Sequence, residues 1–451
     1  MDIKIGKATT VHLAEALVGA WQDAGLAPLS VQGSVYLYRD GFYKEVENLP
    51  GLIMESLEGV QIGDGEKCLG LTFSKCEDVR KAVLHHSAIF DPAAFEDRRV
   101  GIGTKDGFYV PYADTYVRVE HSPNNFLRSC VGDSLSFEPP EKLLLFLEQI
   151  FGSDDHQERE GKIAVIQEVL GAALSGVPLQ RALLLLGSGC NGKSSLMDLL
   201  ALLVKKVSHV EPRHLNGSTS SYYLAQLADC ALNNGGELAA DALSKETGCL
   251  KALIGRDRFY VRPPFGAPYS IRPSCVNVFS TNHQPIFNDY TSGFSRRFAI
   301  MHLTTSFEGR KLDFKSEIWP GIEAERSKIL GWALRGASRV VKQRDLTPLK
   351  TSQDMLMQIA LECPVRDFFE SACLPYQPGN TQAASLYDDF TAYVARKKLP
   401  EGTSKTKFGR VFTEVLSNYC AANPKMRIGG NVYYKVTVKP QTEWGIESTW
   451  N

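Results

Sequence analysis

The run Ala182-Leu-Leu-Leu-Leu186, followed at once by Gly187-Ser-Gly-Cys-Asn-Gly192-Lys193-Ser194, constrains this chain more than any other stretch. Five apolar residues ending in glycines are what a strand buried on both faces requires, and such strands belong to parallel sheets covered by helices. Ser194–Val204 is amphipathic and reads as the following helix. An α/β fold is therefore expected, with the loop between a central strand and a helix. The loop fits G-x-x-x-x-G-K-[ST]. Its glycines let successive N–H groups curl towards phosphate oxygens, and the helix N-terminus adds a positive dipole end. Lys193 supplies a point charge for the β/γ-phosphates, and Ser194 a hydroxyl for Mg²⁺. Gly187, Ser188, Gly189, Cys190, Asn191, Gly192, Lys193, Ser194 and Ser195 are thus expected to hold ATP and Mg²⁺.

The rest of the chain divides around this unit. Residues 1–135 read as a strand-rich region, for docking or DNA binding. Ser34–Val46 alternates around Asp40-Gly41, and Lys105–Val119 repeats Asp-Gly-Phe-Tyr, so both read as hairpins. Residues 136–176 read as a helical collar for oligomerisation, starting at Pro139-Pro140-Glu141. Residues 177–345 hold the ATPase core. Residues 346–445 read as a basic, winged-helix-like domain and 446–451 as a tail, with Gln441–Asn451 expected to be disordered.

Beyond the loop, five further blocks follow in order. They are Asn234-Gly-Gly-Glu237-Leu, Leu250-Lys-Ala-Leu-Ile-Gly255-Arg-Asp257, Phe279-Ser-Thr-Asn282-His-Gln-Pro285, Ser295-Arg296-Arg297-Phe298 and Ile329-Leu-Gly-Trp332-Ala-Leu-Arg-Gly336. With the loop, they resemble the superfamily 3 helicases, specifically the phage/plasmid and poxvirus-type primase-helicase family. The likeness spans roughly residues 100–445 and is most specific over 185–336. It implies a P-loop core of the AAA+ (superfamily 3) type, here without a fused primase. Hydrolysis needs a carboxylate to orient and deprotonate the attacking water, and Glu237 is the candidate, reaching Mg²⁺ through water. Gly236 stands where an acidic residue is common. Asn282 would end a strand lying beside the loop's strand and hold the attacking water or the γ-phosphate. The resemblance implies that Arg296-Arg297, Arg297 above all, acts on ATP held by a neighbouring subunit, and hence a ring, a homo-hexamer by expectation.

Arg258–Arg272 alternates, breaks at Pro-Phe-Gly-Ala-Pro and alternates again, as a hairpin does. In the family such a hairpin enters a central pore. Arg258, Tyr260, Arg262 and Tyr269 are then the candidates for phosphate contact and base stacking. Residues 366–440 hold 11 basic and 6 acidic residues, a balance of +5 in a chain whose net charge is -1. A near-neutral total therefore conceals a basic module suited to phosphate contact.

These features imply an ATP-dependent replicative DNA helicase of a virus, phage or mobile genetic element. Single-stranded and forked DNA, and a separate primase or other replication protein, are the expected partners. The alternative is an ATP-gated initiator or loader that does not separate strands. A small-molecule kinase would leave the Arg pair, the hairpin and the basic module without a role. The ten cysteines form no C-x-x-C pair, and no signal peptide or membrane-length apolar run occurs, so a cytoplasmic setting without a membrane is expected.

Overall fold

A computed structural model describes residues 9–62, 67–238, 248–264, 266, 268–283, 296–309, 314–361, 364–374, 380–397, 399, 403–417 and 424–444. The fold is mixed α/β around a five-stranded parallel sheet. Its strands are β1 (Ala182–Leu186), β2 (Val207–Ser208), β3 (Leu232–Leu238), β4 (Val276–Thr281) and β5 (Phe298–His302). They lie side by side in the order β2-β3-β4-β1-β5. As the leucine run requires, β1 is central and buried on both faces. Leu183 and Leu185 join the core on one side, and Ala182, Leu184 and Leu186 the core on the other. Burying each such leucine contributes about 2 kcal/mol.

Four helices build the first of these cores: α1 (Glu141–Ile150), α2 (His156–Ser175), α3 (Lys193–Ala201) and α4 (Arg326–Gln343). Asp155 caps α2 by accepting from the Glu158 amide at 2.9 Å, and Gly176 ends it in the left-handed region. α2 and α4 pack with almost no space between their backbones. A Cβ on Gly171 would lie 2.2 Å from the Ala333 carbonyl oxygen, and one on Gly336 2.2 Å from that of Gln167. Lys162, fully buried, donates to Asp154 Oδ1 at 2.8 Å and to the His302 carbonyl at 2.6 Å, which ties α2 to the end of β5. The segment read as a helical collar packs into the core against the central sheet.

The N-terminal region differs from a strand-rich expectation. Helices Thr10–Asp23, Leu49–Leu57 and Phe73–Leu84 cover one face of a three-stranded sheet and supply most of that core, including Leu13, Leu17, Trp21, Ile53 and Val79. The first hairpin forms as expected, Arg39 pairing with Phe42 across Asp40-Gly41, both at positive φ. In the second, Thr104 pairs with Gly107, so its turn falls one residue earlier, at Lys105-Asp106. Ile102 and Tyr109 of that hairpin pack into the helical core over the central sheet, so the chain from about residue 100 belongs with the central sheet unit.

The C-terminal unit has helices Pro364–Ala372, Ala383–Lys397 and Lys405–Ser417, with strands Thr381–Gln382, Lys425–Ile428 and Asn431–Tyr434 forming one small antiparallel sheet. The last two pair across Gly429-Gly430, both at positive φ, which makes a hairpin, as the glycines imply. Phe368, Phe390, Tyr393, Phe408, Phe412 and Trp444 form its aromatic core. The segment expected to be disordered from Gln441 onward is ordered at its start. Gln441–Glu443 form a helical turn and buried Trp444 donates to the Lys439 carbonyl at 2.8 Å, while 445–451 lie outside the described residues. No helix among the described residues is long and apolar enough to cross a membrane.

Candidate nucleotide site and nucleic-acid surfaces

The loop leaves the carboxyl end of β1 and enters α3 at Lys193, with Gly192 (φ 87°) as the left-handed residue before it. A side chain on Gly192 would meet Ile150 Cδ1 at 2.9 Å, so α1 walls the loop closely. Asn191, also buried, donates to the Leu303 carbonyl at 3.3 Å and accepts from Lys193 Nζ at 3.1 Å. It thereby fastens the loop to the end of β5. Lys193 Nζ also donates to the Gly187 carbonyl at 2.5 Å and the Ser188 carbonyl at 2.8 Å. Burial holds the Lys193 ammonium below its ordinary pKa, and the charge of Glu237 partly offsets this. Ser194 is exposed in the first turn of α3, while Gly189 has open space where a side chain would stand.

Glu237 reaches this neighbourhood through a β-bulge. Asn234 pairs with Val278, yet Glu237 pairs with Ser280, so β3 spends three residues where β4 spends two. Gly236 sits in the bulge at φ 70°, a conformation that an L side chain resists. A Cβ on Gly235 would meet Phe279 at 2.5 Å. The two glycines of Asn-Gly-Gly-Glu thus serve geometry, turning an exposed carboxylate off the end of a buried strand. The amide of Asn282, just past the end of β4, donates to Glu237 Oε1. The strand that Asn282 follows lies between β3 and β1, beside the loop's own strand as its apolar run implies. Two buried amides escape notice in the sequence. Asn233 donates to Asn277 Oδ1 at 3.1 Å and exchanges hydrogen bonds with the Val210 backbone, holding β3 and β4 together below Glu237.

Arg296 and Arg297 stand at the other end of the sheet. The Arg297 carbonyl accepts from the Ala182 amide at 2.8 Å, and Phe298 pairs with Ala182. The five residues of β1 separate this point from the loop, roughly 17 Å along a strand. The pair is therefore not brought together with Lys193, Glu237 and Asn282 in one chain.

The expected hairpin forms from Phe259–Val261 and Tyr269–Ile271. Its four candidates are placed differently. Tyr260 is 73% exposed. Arg258 pairs with Glu96 at 2.6 Å, and Arg262 Nε donates to the Gly266 carbonyl at 3.3 Å. Burial raises the Tyr269 pKa, against the pull of Arg128. Tip residues Phe265 and Ala267 lie outside the described residues, as do Ser295, Gln284 and Pro285. In the C-terminal unit Lys405 is exposed on the third helix and Lys425 and Arg427 on the first strand of the hairpin, whereas Lys397 pairs with Asp367 at 3.4 Å.

The α3 N-terminus, reached through Gly192 and opening on Lys193, presents donors of the kind phosphate oxygens accept from. No group of three His, Cys, Asp or Glu side chains among the described residues could hold a metal alone. A cation here would rely on Ser194, the phosphates and water. Residues 185–297 match a family described as being of unknown function, DUF5906. No curated protein matches the chain. Among solved structures, the apo structure of the NrS-1 C terminal region (305–718) is 12% identical, with a TM-score of 0.50, covering 96% of this chain and 100% of that one. The A form apo structure of the same region is 13% identical, with a TM-score of 0.49, covering 95% and 100%. The chain is thus a mixed α/β protein similar in fold, over nearly its whole length, to the C terminal region of NrS-1.

Proposed function

We propose that this chain is an ATP-dependent motor of the superfamily 3 type, a ring that moves along single-stranded DNA during replication of a virus, phage or mobile element. The observation that carries this reading is the meeting of Glu237 and Asn282 at the carboxyl ends of adjacent parallel strands, within electrostatic reach of Lys193. A base and an amide held together beside a phosphate loop are what orienting an attacking water requires. The sheet order, with β4 between the loop strand and the glutamate strand, supports an AAA+ core.

In this reading the Gly187–Ser194 amides and Lys193 bind the β/γ-phosphates. Ser194 holds Mg²⁺, which supplies charge neutralisation when bound. Glu237 takes the proton of the attacking water, with Asn282 fixing its carboxylate. The position of Arg297, a strand's length away from its own loop, supports action on a neighbour's nucleotide. Tyr260 is the hairpin residue best exposed for base stacking. Lys193→Ala should abolish nucleotide binding at the Gly187–Ser194 loop, and hydrolysis with it. Glu237→Gln should retain ATP and lower kcat by about 10²-fold or more. Normal hydrolysis by the Glu237 variant would end this assignment. Strand displacement on a forked duplex separates the motor from the initiator or loader, which would hydrolyse ATP and leave the fork paired.

A further inference from the structure

A second cavity lies at the amino end of the sheet, away from Lys193. It is lined by residues that immediately precede β2, β3 and β4, by the end of α2, and by the segment from Pro92 to Val131. Lys205 and Lys206 enter it before β2, and Arg256 and Arg272 from the two sides of the hairpin. Arg98, Arg99 and Arg128 enter it from the Pro92–Val131 segment. The carboxylates on its wall are Glu96 and Asp229, and both are already engaged. Glu96 pairs with Arg258 at 2.6 Å, and Asp229 pairs with Lys206 at 2.7 Å and with Arg128. Among the described residues no carboxylate pairs with Arg98, Arg99, Arg256, Arg272 or Lys205.

Arg98 is the most telling member. One of its terminal nitrogens donates to the Leu174 carbonyl at 3.1 Å, while its Nε is buried without a hydrogen-bond partner. Burial pulls its pKa down to about 10, and Arg128 and Arg256 push in the same direction. Arg256 is lowered likewise, by burial and then by Arg272. Like charges gathered in a partly desolvated cavity destabilise the fold unless an anion sits among them. Guanidinium forks match the oxygens of a phosphate bidentately, and phosphate carries the charge to offset several of them at once. The cations converge from four separate stretches of chain on one cavity instead of lining up along a groove, which favours a compact ligand over a continuous strand.

We propose that this cavity is a second anion site, which takes a compact phosphorylated ligand, a nucleoside polyphosphate or an inorganic polyphosphate, independently of the Gly187–Ser194 loop. The proposal stands whether or not the chain is a motor. It is tested on the full chain carrying Lys193→Ala, titrated calorimetrically with inorganic pyrophosphate and, separately, with ATP. The Lys193→Ala chain should still bind one equivalent of pyrophosphate and gain thermal stability from it. Adding Arg98→Ala should weaken binding at least about tenfold, the loss of one charge-assisted contact. Arg272→Gln, at an exposed position, should do the same while leaving the circular dichroism spectrum unchanged, which keeps the test valid if the Arg98 variant does not fold. Tighter binding of ATP than of pyrophosphate would assign a nucleotide, and equal binding an inorganic polyphosphate. Absence of pyrophosphate binding to the Lys193→Ala chain, unchanged affinity in both arginine variants, or arginine-dependent binding of oligothymidylate alone would each overturn the proposal.

Discussion

Gly236 decides where the candidate base points. Its φ of 70° costs an alanine about 1–2 kcal/mol, and relief of that strain would undo the bulge. Gly236→Ala should therefore lower ATP hydrolysis while ATP still binds, because Lys193 and the loop are untouched. Steady-state kinetics with nucleotide binding measured in parallel would check this, and unaltered kcat would mean that the bulge does not aim Glu237. His302 makes a second residue-scale prediction. Burial, with Lys162 adding and Asp154 opposing, holds its imidazole below the ordinary 6.5. The fold therefore disfavours the protonated ring. Between the lowered folded pKa and 6.5 the unfolded chain binds more protons, so stability rises with pH across that window and is lost below it. Thermal melts between about pH 5 and pH 7 should show this slope, and His302→Gln should flatten it.

At the scale of elements, α2 and α4 meet backbone against backbone. Gly171→Val or Gly336→Val would place side-chain carbon against backbone, so each should destabilise by about 3 kcal/mol or more, read as a lowered Tm. Local pattern makes several elements legible in the sequence. The leucine run, the loop and α3 form as their apolar spacing and glycines require, and Asp40-Gly41 and Gly429-Gly430 make the turns that their residues favour. The helix Thr10–Asp23 is missed, although Leu13, Leu17 and Trp21 recur every four residues and carry the signal for it. What pattern does not carry is placement across distance. Nothing local tells that residues 102–119 pack on α2 and α4, or that Asn233 meets Asn277. The second cavity gathers arginines up to 174 positions apart, and only the fold brings Arg98 to Arg256 and Arg272. The Asn282–Glu237 contact lies between these extremes. Each residue stands out by its place at a strand end, but their contact depends on β3 and β4 being neighbours.

Over the whole molecule, the trans reading of Arg297 makes a prediction that no single variant can test. Lys193→Ala and Arg297→Ala chains should each be inactive alone. Mixed in equal amounts and allowed to exchange, about a quarter of their interfaces would join an intact loop to an intact arginine. ATPase activity should then reappear on mixing, and a mixture that stays dead would place Arg297 in its own subunit's chemistry or outside it altogether. DNA binding through Lys405, Lys425 and Arg427 should weaken steeply with salt, and replacing all three by Gln should reduce the slope of affinity against salt concentration. Fluorescence anisotropy at several ionic strengths would measure it.

The separation of loop and arginine along β1 and β5 also gives the subunit a direction. On the function proposed above, one end of the sheet would hold a nucleotide and the other the group that completes it, so the two contacting surfaces would be different surfaces. A pair related by a two-fold axis would bring like ends together and complete neither site. Only head-to-tail addition works, and it must either close on itself or leave one nucleotide at the end of the line without its arginine. Closure would then be a chemical requirement of the last subunit as much as a matter of shape.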